Sequence, residues 1–354
     1  MKAIRYYGKE DVRLDEIDEP QVRPGTVKIK PAWTGLCGSD LHLYFHGVMP
    51  PAPSHDNAHP VTGEKLPVVF GHEFSGIVEE IGEGVTGFNL GEHVVVEPSV
   101  VCNECVACRD GAYNVCEKFG FVGISGRGGG LSEYVVAEER WVHSVGNMPL
   151  DEAALIEPLA VSLHAVRMVD LNEGDVAVVG GAGPIGLLTA AVLKAHGVTT
   201  IVSEVSTARR EMALEFKVAD YVVDPMQQDL AEFVKAHTGG AGAAAAFDCA
   251  GVQPVFDSLL KSLKARGHLQ IVAIYTNNPV IDFPAMIFKE LRVSASLGYA
   301  GDHQAAIDLV HSGKVNLKPF ITARINAENI AQDGYQFLVD NKETQVKVIA
   351  QLQA

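Results

Sequence analysis

The chain has 354 residues, of which 47% are hydrophobic and 20% charged, with six cysteines and a net charge of −16 at pH 7. That composition describes a folded protein with core enough for two domains and excludes a disordered one. The negative charge argues against nucleic acid and anionic membrane as partners, because both would be repelled at long range, while leaving room for a local basic pocket that holds an anionic cofactor.

In chain order, the opening "MKAIRYYGKEDVRLDEI" carries charge throughout and lacks an apolar stretch of signal-peptide length. Residues 1–150 are rich in Gly, Pro and short β-type runs. "TVKIKPAW", "SGIVEEIG", "GEHVVVEPSVV" and "LSEYVVAEERWVHSV" read as strands, so an all-β domain, barrel-like or sandwich-like, is expected. No long amphipathic helix is expected there.

A lobe of about residues 98–120 sits within this domain. "CNECVACRDGAYNVC" spaces Cys102, Cys105, Cys108 and Cys116 as C-x2-C-x2-C-x7-C. The chain reads as cytoplasmic, where thiols stay reduced, so clustered cysteines point to metal and not to disulfides. Four thiolates suit a closed tetrahedral structural zinc site. An iron–sulfur cluster is the rival, but there the fourth cysteine follows after three residues and precedes proline, whereas here Glu117 follows it.

The texture changes near Asp151. "DEAALIEPLAVSLHAVRMV" has helical spacing. Buried-type strands "DVAVVG", "TTIVSEV", "ADYVVD", "AAAAFDCAG" and "HLQIVAIY" then alternate with helix candidates such as "PIGLLTAAVLKAHG", "STARREMALEFK" and "QQDLAEFVKAHTG". This is the pattern of βαβ units, a doubly wound parallel sheet over residues 151–295. Residues 296–354 are mixed again, and "TQVKVIAQL" reads as a strand returning to the first domain. The uncharged run Val176–Leu193 reaches the lower limit of a membrane span, but Gly180, Gly181, Gly183, Pro184 and Gly186 break it into strand, turn and helix.

Gly181-Ala182-Gly183-Pro184-Ile185-Gly186 follows that strand and opens that helix, the context a dinucleotide fingerprint requires. The glycines permit the tight turn, close approach to a pyrophosphate, and helix–strand packing. Glu204 ends the next strand, where a carboxylate accepts from the ribose hydroxyls and repels a 2′-phosphate, favouring NAD over NADP. Arg209 and Arg210 argue the other way as a phosphate clamp, although such a pair is more often a solvated helix face.

Two cysteines remain. Cys249 in "FDCAG" reads as a small buried thiol. Cys37 in "GLCGSDLH" has prospective partners in "GHEFSG", with His72 and Glu73, and in "EPLAV", with Glu157. One thiolate, one imidazole and one or two carboxylates would make a zinc site with an open position. On spacing alone, residues scattered over so long a stretch favour structural roles.

Taken together and in order, "GLCGSDLH", "GHEFSG", the four-cysteine lobe, "EPLAV" and "GGAGPIG" resemble the zinc-dependent medium-chain dehydrogenases/reductases, over essentially the whole chain. "GHE" and "EPL" place the likeness in their polyol and butanediol branch. The resemblance implies a GroES-like β-barrel catalytic domain joined to a Rossmann coenzyme domain, NAD as cofactor, two zinc ions per chain, and a homodimer or homotetramer. It implies oxidation of a diol such as 2,3-butanediol to acetoin, with reduction of acetoin or diacetyl in reverse. Sorbitol-type polyols or L-threonine are alternative substrates, and a non-catalytic NAD-binding protein is the alternative of another class.

By the same resemblance Cys37, His72 and Glu157 match catalytic-zinc positions, and Glu73 matches a carboxylate that is either a direct ligand or an exchange partner. Asp40 would accept the free ring N–H of His72 and orient it. Ser39 would take the substrate proton and pass it through the nicotinamide ribose to His42. His46, His55 and His59 lie in a Pro-rich loop that tempts assignment of a further metal site; a flexible surface loop is the expectation. The length of that loop, residues 46–66, departs from the plainer polyol-type pattern.

Overall fold

The computed structural model describes residues 1–352 and divides into two compact units, 1–157 with 321–352, and 158–320. The division falls later than the expected boundaries at 150 and 295. Strand Arg292–Ala295 pairs in parallel with Leu263–Ile271 and completes the second unit's sheet. Helix His303–His311 then stays in that unit and buries Ala306 and Ile307, so the chain returns to the first unit only at Ile321.

The first unit is built on a seven-stranded sheet whose central strand is Thr26–Gly35. That strand pairs antiparallel with Glu73–Ile81 along its length, with Val135–Glu138 at its start and with Lys347–Gln351 at its end. The register sets Gly35 opposite Glu73 on one side and opposite Ile349 on the other. A small sheet of Asp11–Glu16, Lys2–Gly8 and Val68–Val69 lies beside it in the unit. Alternating side chains fill two apolar clusters, one around Val27, Ile29, Val94 and Trp141, the other around Ile4, Phe70, Leu131 and Val348. Burial of such side chains at ~25 cal/mol per Å² is the main force holding the unit together.

The first unit also holds a helix that the β-rich texture did not announce, Gly38–His46. The expected helix near Asp151 is two helices, Leu150–Ala153 and Ile156–Arg167.

The second unit contains six parallel strands in the order Tyr221–Val223, Thr199–Ser203, Val176–Gly180, Ala243–Asp248, Leu263–Ile271, Arg292–Ala295. This is the doubly wound Rossmann order 3-2-1-4-5-6, whose direction reverses beside Val176–Gly180. The strands are Val-, Ile- and Ala-rich on both faces because helices cover both. The core gathers Val178, Ile201, Ala246, Phe256 and Leu269. Among the described residues no helix is long and apolar enough to cross a membrane.

Candidate active site

Cys37 stands at the N-cap of helix Gly38–His46, directly after the central strand ends. Asp40, at the third helical position, accepts the backbone N–H of Cys37 at 3.0 Å, so its carboxylate satisfies a donor at the helix start. The other oxygen of Asp40 lies 3.4 Å from Nδ1 of His72. Neither of those two atoms has a hydrogen-bond partner, and both residues are buried. On the opposite edge of the imidazole, Nε2 is 3.4 Å from Oγ of Ser39. Burial works against charging His72, but the Asp40 carboxylate and Cys37 outweigh it and hold the imidazole pKa well above its ordinary value. Anionic surroundings that favour an imidazolium also favour a metal cation.

Cys37, His72 and Glu73 each offer one ligand atom, and these atoms all lie within 4.8 Å of one another. Glu73 reaches the cluster because strand Glu73–Ile81 begins there and because its partner is glycine. A Cβ on Gly35 would overlap Oε2 of Glu73. Glu157, buried at the start of helix Ile156–Arg167, is not part of this group. A thiolate, an imidazole and a carboxylate are a donor set suited to zinc.

Lys347 is the residue here that motif reading passed over. Its ammonium donates to both oxygens of Glu73, at 2.6 and 2.5 Å, and to the carbonyl of Leu36 at 3.2 Å. The side chains of Lys347 and Glu73 are only 3% and 1% exposed. Burial opposes the lysine's charge, but Glu73, Cys37 and Glu157 outweigh it and raise its pKa. The available signal was a lone cation inside the apolar run "VKVIA" of the last strand.

The four cysteines of the lobe also converge, with sulfur–sulfur distances of 3.4 Å for Cys102–Cys116 and 3.9 Å for Cys102–Cys108. Tetrahedral zinc with bonds of about 2.3 Å needs edges of about 3.8 Å, so the four fit the ion. All four are unbridged thiols, and backbone N–H groups of Cys102, Cys105 and Lys118 point at their sulfurs. Cys105 and Cys116 belong to the unit's core, and Tyr113, between Cys108 and Cys116, ties the lobe to buried Glu97 through a 2.5 Å hydrogen bond.

In the second unit the Gly-rich turn runs from Gly181, at φ +94°, to Gly183, which caps helix Pro184–Ala195. A Cβ on Gly186 would overlap the carbonyl oxygen of Gly181, so helix and strand approach this closely only with glycine. Pro184 occupies the first helical turn, where a missing N–H costs nothing, and Ile185 follows it. Glu204 accepts from the backbone N–H of Ala182 at 2.7 Å and from that of Ser206 at 2.9 Å. Arg209 extends beside the turn, its Nη1 being 3.9 Å from where a side chain on Gly183 would begin. Arg210 is committed elsewhere, to the carbonyls of Glu204 and Val205 and to Asp224. Cys249 is half-buried, and the desolvation of its thiol pushes its pKa up to about 12.

The loop histidines do not converge. Nδ1 of His59 accepts from the N–H groups of Val61 and Thr62, both at 3.3 Å, while Nε2 donates to the carbonyl of Phe119 at 3.2 Å. His55 bonds the carbonyl of Tyr7 at 2.8 Å. The loop is thus tied down at both histidines, while most of residues 54–65 are exposed, as expected of a surface loop. His46 instead lies against His42, with ring centroids 4.9 Å apart on the helix that Cys37 caps.

Residues 23–147 match the alcohol dehydrogenase GroES-like domain, and residues 184–312 match the zinc-binding dehydrogenase domain. The chain belongs to the zinc-binding alcohol dehydrogenase family and is an oxidoreductase. It is 45% identical to the (R,R)-butanediol dehydrogenase of Neisseria gonorrhoeae over 99% of both chains. It is 36% identical to the sorbitol dehydrogenase of Halalkalibacterium halodurans, over 91% of this chain and 92% of that one. The crystal structure of 2R,3R-butanediol dehydrogenase from Bacillus subtilis superposes with a TM-score of 0.93 at 37% identity, covering 99% of each chain.

Proposed function

We propose that this enzyme oxidises 2,3-butanediol to acetoin with NAD, and reduces acetoin or diacetyl in reverse, using one zinc at the Cys37, His72 and Glu73 cluster, with Glu157 as the further carboxylate available to it, and a second, structural zinc at the four-cysteine lobe. The observation that carries this reading is the convergence of Cys37, His72 and Glu73 with Ser39 beside the imidazole. The likeness to butanediol dehydrogenases supports the substrate. The sorbitol dehydrogenase relative supports a longer polyol as the second reading.

Bound zinc supplies a Lewis acid that lowers the pKa of the substrate hydroxyl, and bound NAD supplies the hydride acceptor. The protein's own residues do the rest. Asp40 fixes His72 from behind, so the ring presents Nε2 to the cluster. Ser39 accepts the hydroxyl proton and hands it towards His42, which lies on the helix that Cys37 caps and is partly open to solvent. Glu204 holds the coenzyme ribose and disfavours a 2′-phosphate, while the turn Gly181–Gly186 receives the pyrophosphate. Arg209 stands where it can meet the adenosine end.

We assign the oligomer as a dimer. Strand Arg292–Ala295 is an unpaired sheet edge, and the neighbouring Val280, Phe283, Ile287 and Phe288 are 61–89% exposed. Such an apolar edge suits a second copy related by a twofold axis.

The test is reduced-nicotinamide absorbance with NAD and, separately, (R,R)-, meso- and (S,S)-2,3-butanediol, sorbitol and L-threonine. Fast turnover of a butanediol supports the reading and names the stereocentre attacked. Turnover of sorbitol or threonine alone keeps the dehydrogenase and replaces the substrate. Silence on all five, in protein that holds zinc and NAD, rejects both.

A further inference from the structure

His55 and His59 spend ring nitrogens on the carbonyls of Tyr7 and Phe119. Among the described residues, no ring nitrogen of His42 or His46 makes a hydrogen bond within the protein. The two stand four residues apart on helix Gly38–His46, hence one above the other on a single face, with ring centroids 4.9 Å apart. His46 is exposed and His42 half-buried, so solutes in water reach both rings.

The backbone beneath the pair is fixed. Asp40 caps the helix start, Leu43 is buried, and the Leu43 carbonyl accepts the Tyr6 hydroxyl at 2.8 Å and the Gly47 N–H at 3.0 Å. His46 occupies the last helical turn, where unsatisfied carbonyls form the negative end of the helix and favour a cation. The net charge of −16 adds to that attraction at longer range. Two imidazoles held side by side are a donor set suited to Zn²⁺, Ni²⁺ or Cu²⁺, with water in the remaining positions.

We propose that His42 and His46 form a further metal site, separate from the two zinc positions, which takes a late first-row dication reversibly from solution and thereby slows turnover. The inhibition rests on the reading of His42 as the outlet of the proton relay, whereas the site itself does not. A neutral imidazole accepts a proton through its one free nitrogen lone pair, and a metal bound there blocks that step. Free zinc then acts as a brake on the dehydrogenase.

The experiment takes the full-length holoenzyme, its zinc content fixed by elemental analysis, and adds Zn²⁺ alone. Titration calorimetry should show one further zinc per chain. Turnover should fall at least fivefold over the same range of zinc concentration. His46→Gln, at an exposed position, should keep its basal turnover and bind the added zinc at least tenfold more weakly. In Ser39→Ala the relay is already cut, so zinc should bind as in wild type and lower the residual turnover less than twofold.

Absence of a further zinc overturns the site, as does one whose affinity His46→Gln leaves unchanged. Zinc that binds through His46 yet spares turnover overturns the inhibition and takes His42 out of the relay. Equal fractional inhibition of Ser39→Ala and wild type also overturns it, since zinc would then act by a route other than the proton's.

Discussion

The carboxylate of Glu204 accepts the backbone N–H of Ala182 at 2.7 Å, tying the end of one parallel strand to the glycine turn that follows its neighbour. Its second oxygen holds the N–H of Ser206, yet a carboxylate has about four acceptor sites, so capacity remains for two ribose hydroxyls. Glu204 therefore shapes the turn, and in the proposed function it also reads the coenzyme. Replacing it with Ala removes hydrogen bonds to a charged group, each worth about 1.5–3 kcal/mol. The expected result is a KM for NAD raised about tenfold or more, with a smaller change for NADP, so the NAD/NADP ratio of kcat/KM falls. An unchanged ratio in steady-state assays would remove Glu204 from coenzyme selection.

Ser39 lies 3.4 Å from the imidazole of His72, within the cluster that would bind metal. Ser39→Ala should lower kcat by about 10²- to 10³-fold, the range lost with a general acid–base group. Zinc content by elemental analysis and NAD affinity by fluorescence titration should stay at wild-type levels. Full turnover in this variant refutes the relay.

His59 gives a pH dependence of stability with a definite sign. Burial lowers its pKa below the ordinary 6.5, and its Nδ1 already accepts two backbone N–H groups, which a protonated ring could not do. The unfolded chain thus takes up this proton at higher pH than the folded protein. The contribution of His59 is whole above pH of about 6.5 and is lost progressively as pH falls towards the depressed folded value. His59→Gln should show a smaller drop in Tm between pH 7.5 and 5.5 than wild type, by scanning calorimetry. An equal drop would place the acid sensitivity elsewhere.

Phe288 is 89% exposed beside the edge strand Arg292–Ala295. In a dimer formed there it would be buried. Phe288→Glu should convert the protein to a monomer by light scattering coupled to gel filtration, because a charge would be forced into an apolar contact. Wild-type protein that runs as a monomer would remove the dimer outright.

Wherever the chemistry lies within a few residues of itself, the chain spells it out. The four cysteines of the lobe span Cys102 to Cys116, and the turn from Gly181 to Gly186 follows its strand and precedes its helix without interruption. Such motifs constrain their own geometry, because short spacers leave few ways to arrange the groups, and the βαβ texture of the second unit is legible for the same reason. Strand register is another matter. Glu73 and Lys347 are 274 residues apart, and they meet only because two strands flank Gly35 in a fixed alignment. A one-residue slip would turn Lys347 to the other face of the sheet. Tertiary structure alone also sets Glu157 outside the Cys37, His72 and Glu73 group. It likewise buries His59 within an otherwise exposed, Pro-rich loop. Local spacing carries the identity of the donors, while the long-range pairing of strands decides which of them face one another and which cation stands between.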